Sequence, residues 1–232
     1  MTALVFMPGF DGDGSLRQPF VDALARHHEV HAVTYPARRL GSLEGYRDHA
    51  MASVPVDCRP VLVAESFSGL VAARWAEVDS RVRGVVLCGA FARNPVGWAA
   101  RAGAAMPTLV KVGPKLLHPV ARASGDPARA RWSDGFTEAM ARLPGEVIAE
   151  RLRLIAAADT AATLRGLGVP VVVVQFTGDQ VVGANARDHL ESVCHNAHIL
   201  RLPGPHFAIE VRPQECADAI GGRIREIFPT GA

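Results

Sequence analysis

Lysine is nearly missing from this chain, with Lys111 and Lys115 the only two among 25 basic residues. An excess of one sign of charge is missing too, because 25 Lys+Arg stand against 23 Asp+Glu for a net charge of +2. A balance this even excludes a dedicated nucleic-acid binder, which needs a large surplus of cations over phosphates. Long hydrophobic runs are absent, and no apolar stretch approaches the ~20 residues that cross a bilayer. Met1 to Phe10 carry no basic lead-in and reach Pro8-Gly9 after a few apolar positions, so no signal peptide is expected. The four cysteines, Cys58, Cys88, Cys194 and Cys216, share no C-x-x-C spacing. They read as buried free thiols in a reducing compartment, which makes a cytoplasmic location the expectation.

What is present is 232 residues, 49% hydrophobic and 21% charged. That suffices for one large core without disulfides or a structural metal, as one domain or one domain with an insertion. Short apolar runs alternate with amphipathic stretches, the pattern of an α/β protein whose mostly parallel sheet has helices on both faces. The expected strands are Ala3–Met7, Val30–Thr34, Val61–Ala64, Val82–Cys88, Val169–Phe176 and His198–Leu202, each apolar enough for burial on both sides. Helices are expected at Ser15–His27, Leu43–Ser53, Phe67–Glu77, Ala184–Val193 and Pro213–Phe228. The alternation breaks between Phe91 and Gly168, a stretch rich in Ala, Arg and Pro that is too long for a loop and is expected to form a helical cap. From Arg93 to Ser133 seven basic residues face one acid, Asp126, so the cap reads as a basic, movable lid. Trp98, Met106, Leu109, Val110, Leu116 and Leu117 would supply its apolar contacts, interleaved with Arg101, Lys111, Lys115 and Arg122.

The residues that carry chemistry lie at strand ends. After Val61–Ala64 comes A-E-S-F-S-G, centred on Ser66, a small-x-Ser-x-small form of G-x-S-x-G with Ala64 and Ser68 in place of glycine. A strand turning sharply into a helix exposes such a serine on a strained elbow, and small neighbours let the two backbones approach. The run ending in T-G-D-Q-V-V puts Asp179 just beyond a second strand, and P-G-P-H-F puts His206 beyond a third. Ser, Asp and His thus each follow their own strand, on the edge where open α/β sheets bind ligands. The first strand ends in M-P-G-F-D-G-D-G, a glycine-rich loop whose backbone N–H groups can reach a developing oxyanion. Phe10 or Asp11 is the natural donor there, opposite Phe67 after the serine. Gly9, Gly12 and Gly14 do not fit a dinucleotide fingerprint, and D-G-D-G does not fit an EF-hand. Neither His27, His28 and His31 nor Cys194, His195 and His198 match a zinc spacing, so no metal and no cofactor are expected.

On these motifs the chain resembles the α/β-hydrolases, over essentially its whole length outside the cap. Its P-G-F-D-G-D-G and E-S-F-S-G segments are similar to P-G-x-D-G-T-G and G-E-S-F-S-G in a group of small bacterial members. The resemblance implies a sheet of about six strands, lacking the first strand or two of the full eight. The break in the strand–helix alternation divides the chain into a core, residues 1–91 and 169–232, and a cap, residues 92–168. The order Ser66…Asp179…His206 is that of the family, while Pro8-Gly9 replaces its usual His-Gly.

The expected reaction is hydrolysis of a carboxylic ester or thioester through an acyl-enzyme. Ser66 would be the nucleophile, His206 the base, Asp179 its orienter, and the amides of Phe10 and Phe67 the oxyanion donors. Asp11 and Phe207 are assigned to the substrate pocket. Phe10, Phe67 and Phe207 would give that pocket apolar walls, unless they simply pack the core. The basic cap suits an anionic carrier such as CoA or an acyl carrier protein, though arginines on solvated helix faces would give the same composition. Acyl transfer by the same triad, or ligand binding with little turnover, remain the alternatives.

Overall fold

The computed structural model describes residues 2–107, 110 and 125–229. Six strands form one sheet, β1 (Ala3–Met7), β2 (Glu29–Ala32), β3 (Val61–Glu65), β4 (Gly84–Cys88), β5 (Val171–Phe176) and β6 (His198–Leu202). Their order is β2-β1-β3-β4-β5-β6 and every pairing is parallel. The register sets Val63 of β3 beside Phe6 of β1 and Val86 of β4.

Side chains alternate across the sheet, as a period of two residues requires. Val5 and Met7 point into one core cluster, Leu4 and Phe6 into another on the opposite face. The first cluster is closed by α2 (Leu43–Ala52), α3 (Ser68–Val78) and α8 (Ala184–Val193), the second by α1 (Gln18–Ala25) and α10 (Pro213–Ile227). Two expectations change here. The edge strands β2 and β6 are partly exposed instead of buried on both faces, because each has a neighbour on one side only. Cys88, Cys194 and Cys216 are buried, but Cys58 is only half-buried.

Between β4 and β5 lie α4 (Trp98–Ala105), α5 (Pro127–Arg142), α6 (Gly145–Ala156) and α7 (Ala161–Arg165). Met140, Leu143, Val147 and Ile148 form a small separate core that also touches Phe10. Ile155, Ala158, Ala161 and Leu164 join the main cluster instead. Helix α5 rests on the loops after β1 and β6: Arg142 pairs with Asp13 at 2.8 Å, and Trp132 stacks on Phe207 with ring centroids 3.5 Å apart. Among the described residues, no helix is long and apolar enough to cross a membrane.

Candidate active site

The elbow between β3 and α3 carries backbone strain where the chain must turn hardest. Ser66 sits at φ 50°, the only left-handed non-glycine residue among those described. Such a conformation costs about 1–3 kcal/mol and survives only where its surroundings enforce it. Here Ser66 N–H donates to Cys88 O at 2.9 Å, and Gly69 N–H closes the turn onto Ser66 O. A Cβ on Gly69 would stand 2.6 Å from that of Ala90, so the helix can pack this close to the end of β4 only with glycine there.

Asp179 and His206 meet because the loops after β5 and β6 touch. Gly178 N–H donates to Gly204 O at 2.9 Å, and a Cβ on Gly178 would strike that same oxygen. His206 Nδ1 lies 2.7 Å from Asp179 Oδ2, and its Nε2 lies 3.0 Å from Ser66 Oγ. A carboxylate only accepts, so the proton sits on Nδ1 and the lone pair of Nε2 faces the serine hydroxyl. The other oxygen of Asp179 accepts from the amides of Val181 and Val182, both at 2.8 Å, which fixes the carboxylate before the imidazole arrives. Gly89, at φ 54°, ends β4 against the imidazole, where a Cβ would come within 3.3 Å of Nδ1. No motif in the sequence singled this glycine out.

Phe67 and Phe10 differ from each other in role. Phe67 caps α3 and its ring is fully buried against Tyr35 and Tyr46, so it packs the core and forms no pocket wall. Its backbone opens α3, whose first N–H groups have no side-chain cap. The carbonyl of Phe10 accepts from Arg151 Nη1 at 2.6 Å, which pins that peptide in place. Arg151 is fully buried, bonded through Nε to Tyr46 and stacked over Tyr35 and Tyr46. Phe207 is half-buried, held in the stack with Trp132.

Asp11 requires a correction. It is 2% exposed and points inward to Arg17 Nη1 at 2.8 Å, away from any substrate. The turn at Gly12, φ 73°, lets the loop send that carboxylate down into the core. Trp98 is likewise 80% exposed and supplies no packing for a lid. Of the basic cap residues, Arg93 pairs with Asp159 and Arg129 with Asp126, while Arg101 and Arg131 are exposed. Leu109, Lys111, Lys115, Leu116, Leu117 and Arg122 lie outside the described residues.

Ser68, the second serine of the motif, is fully buried and fastened elsewhere. Its hydroxyl donates to Pro8 O at 2.5 Å, so the 2.7 Å contact with Tyr35 is a bond donated by the tyrosine. Ser68 thereby clamps the loop after β1 to the elbow. Ser68→Ala is expected to lower stability by about 1–3 kcal/mol, since it strands a buried carbonyl and a buried phenol. Urea denaturation would check this, and a loss below the scatter of the measurement would show that the clamp is idle.

The family model of the alpha/beta hydrolase family matches residues 4–219, and the chain belongs to that family. No curated protein matches it significantly in sequence. Among solved structures, an esterase from Thermogutta terrifontis superposes with a TM-score of 0.80 at 16% identity, covering 98% of this chain and 90% of its own. An enol-lactonase from Burkholderia xenovorans LB400 gives 0.77 at 19% identity, covering 98% and 91%. A bromoperoxidase from Bacillus anthracis gives 0.76 at 14% identity, covering 94% and 90%. At these identities the likeness is one of fold.

Proposed function

We propose that this chain is a serine hydrolase that cleaves a carboxylic ester or thioester through an acyl-enzyme. The observation that carries the reading is the continuous hydrogen-bonded line from Ser66 through His206 to Asp179, at 3.0 and 2.7 Å. Ser66 Oγ attacks the acyl carbon as His206 Nε2 takes its proton. Asp179 keeps the imidazole in the productive tautomer and stabilises its charged form. The amides of Phe10 and Phe67 hold the oxyanion, each such donor being worth roughly 2.7–4 kcal/mol in the transition state. The imidazolium then protonates the departing alcohol or thiol, and water, deprotonated by the same nitrogen, releases the acid. Ser66 is 8% exposed, and exclusion of water strengthens each electrostatic contact along this line.

A serine-reactive fluorophosphonate is expected to label one peptide, that containing Ser66. Labelling should vanish in Ser66→Ala and persist in Ser68→Ala, and the opposite pattern would overturn the assignment. A panel of acyl esters and thioesters of graded chain length, with acyl-CoA included because of the basic cap, then identifies the leaving group.

A further inference from the structure

Four ionisable side chains that take no part in this proton relay are buried together behind it. Glu65 ends β3, immediately before the nucleophile, and Asp11 follows Phe10 in the loop after β1. Arg17 ends a 3-10 turn, Gly14–Arg17, and Glu210 lies on α9 (Ala208–Val211), the short helix that follows His206. Arg17 reaches all three acids. Its Nε and Nη2 grip Glu65 at 2.7 and 2.9 Å, its Nη1 meets Asp11 at 2.8 Å, and its Nη2 meets Glu210 at 3.1 Å. Glu65 also accepts from Gly9 N–H at 3.0 Å. One residue therefore connects the elbow, the loop after β1 and the loop that carries His206.

The charges do not balance. Three carboxylates share one guanidinium, and all four side chains are at most 4% exposed. Glu65 has three donors. Glu210 has one longer contact with the guanidinium, and its Oε2, like Asp11 Oδ1, is buried with no hydrogen-bond partner. The carboxyl with the least support for a negative charge is Glu210. We propose that Glu210 acts as an uncharged positioning residue, tying the His206 loop through Arg17 to the nucleophile elbow for as long as it keeps its proton.

The electrostatics of the site run the same way. Burial, and then the nearby charge of Glu65, push the Glu210 carboxyl well above the ordinary range against the opposing pull of Arg17. Asp11 is also raised, chiefly by burial. Burial works against the charge on Arg17, but the carboxylates beside it, Glu65 first and then Asp11, more than restore it. From α10, Cys216 is a neutral thiol pushed up to about 12, with Arg212 and Glu215 near it. Of the other elements packed on α9, α1 carries Asp22 and α5 carries Arg131, both solvent-exposed, and the half-buried Asp134.

A carboxyl whose folded pKa exceeds its unfolded value gives stability that is full in acid and declines as pH rises toward the folded value. The test is the melting temperature of the wild type and of Glu210→Gln, which keeps the shape without the charge, from about pH 6 to about pH 9. The wild type is expected to lose at least about 4 °C relative to the variant across that range. Its kcat for an ester should also decline in alkali, with KM less affected and the decline absent or displaced upward in Glu210→Gln. Parallel melting curves would mean that Glu210 is ionised in the folded protein and would overturn the proposal. A melting difference with identical kcat profiles would remove the positioning role and overturn it equally. The role in turnover rests on the hydrolase reading and the melting does not, so a lack of turnover in both proteins counts against that reading while melting still decides the charge. Should Glu210→Gln not fold, Asp11→Asn serves, and the infrared band of a buried protonated carboxyl must persist in it under mildly alkaline conditions. Its absence overturns the proposal.

Discussion

Ser66→Ala is expected to lower kcat for the best ester substrate by roughly 10^5-fold or more, with folding intact. Triad members act as a unit, so removing the nucleophile removes nearly everything except binding and oxyanion stabilisation. Asp179→Asn should cost about 10^4-fold, because an amide fixes the imidazole in the wrong tautomer. Relief of the strained φ of 50° does not follow from the serine substitution, since alanine bears the same Cβ. The melting temperature should therefore change little. Steady-state kinetics checks the first number and calorimetry the second. A Ser66→Ala protein retaining a tenth of wild-type kcat would end the acyl-enzyme mechanism.

Arg17→Met should be the most damaging substitution outside that line. It removes the cation from a buried site and leaves Glu65 and Asp11 without their partner. Breaking a buried ion pair from one side costs about 3–5 kcal/mol. For a chain of this length that is a fall in melting temperature of roughly 6–20 °C. The deficit should shrink in acid, where the stranded carboxylates take up protons and cease to repel one another. Melting of wild type and variant at acid and neutral pH would check both parts. A deficit independent of pH would mean that the loss comes from packing of the arginine stem.

The interior of the sheet was legible because strands buried on both faces are written as continuous apolar runs, and Ala3–Met7 matches residue for residue. At the partly exposed edge His198–Leu202 matches as well, marked by its three apolar positions alone. The run from Val82 starts too early, since Val82 N–H closes a turn onto Asp79 O and β4 begins at Gly84. The helix expected at Ser15–His27 divides into a 3-10 turn and α1, with Pro19 in the first turn of the new helix. Pro19 has no N–H to continue the earlier one, so the break was written in the sequence.

That Ser66, Asp179 and His206 share one edge of the sheet was legible for the same reason as the strands, since each stands within a few residues of the end of an apolar run, and the structure brings their side chains into one hydrogen-bonded line. The Arg17 site was not. Its members lie 6 and 48 residues apart in two of the pairings and follow no period. The one available signal was Glu65, a lone acid ending an otherwise apolar strand and hence certain to need a buried partner. Asp11 misled because a polar residue in a glycine-rich loop beside the site reads as facing substrate. The turn at Gly12 reverses that direction, and turn handedness is not encoded in any hydrophobic pattern.

Parallel pairing throughout the sheet also fixes when the site comes into being. Parallel strands cannot be joined by a tight hairpin, so each pairing waits for a crossover to be made and closed. Ser66 and His206 stand 140 residues apart. As the ribosome delivers the chain, Ser66 appears with β3, yet the imidazole that bonds to it arrives only once β6 has emerged and docked beside β5. Until then the hydroxyl is an ordinary alcohol, and the unfinished chain lacks the hydrogen-bonded line that the folded one holds.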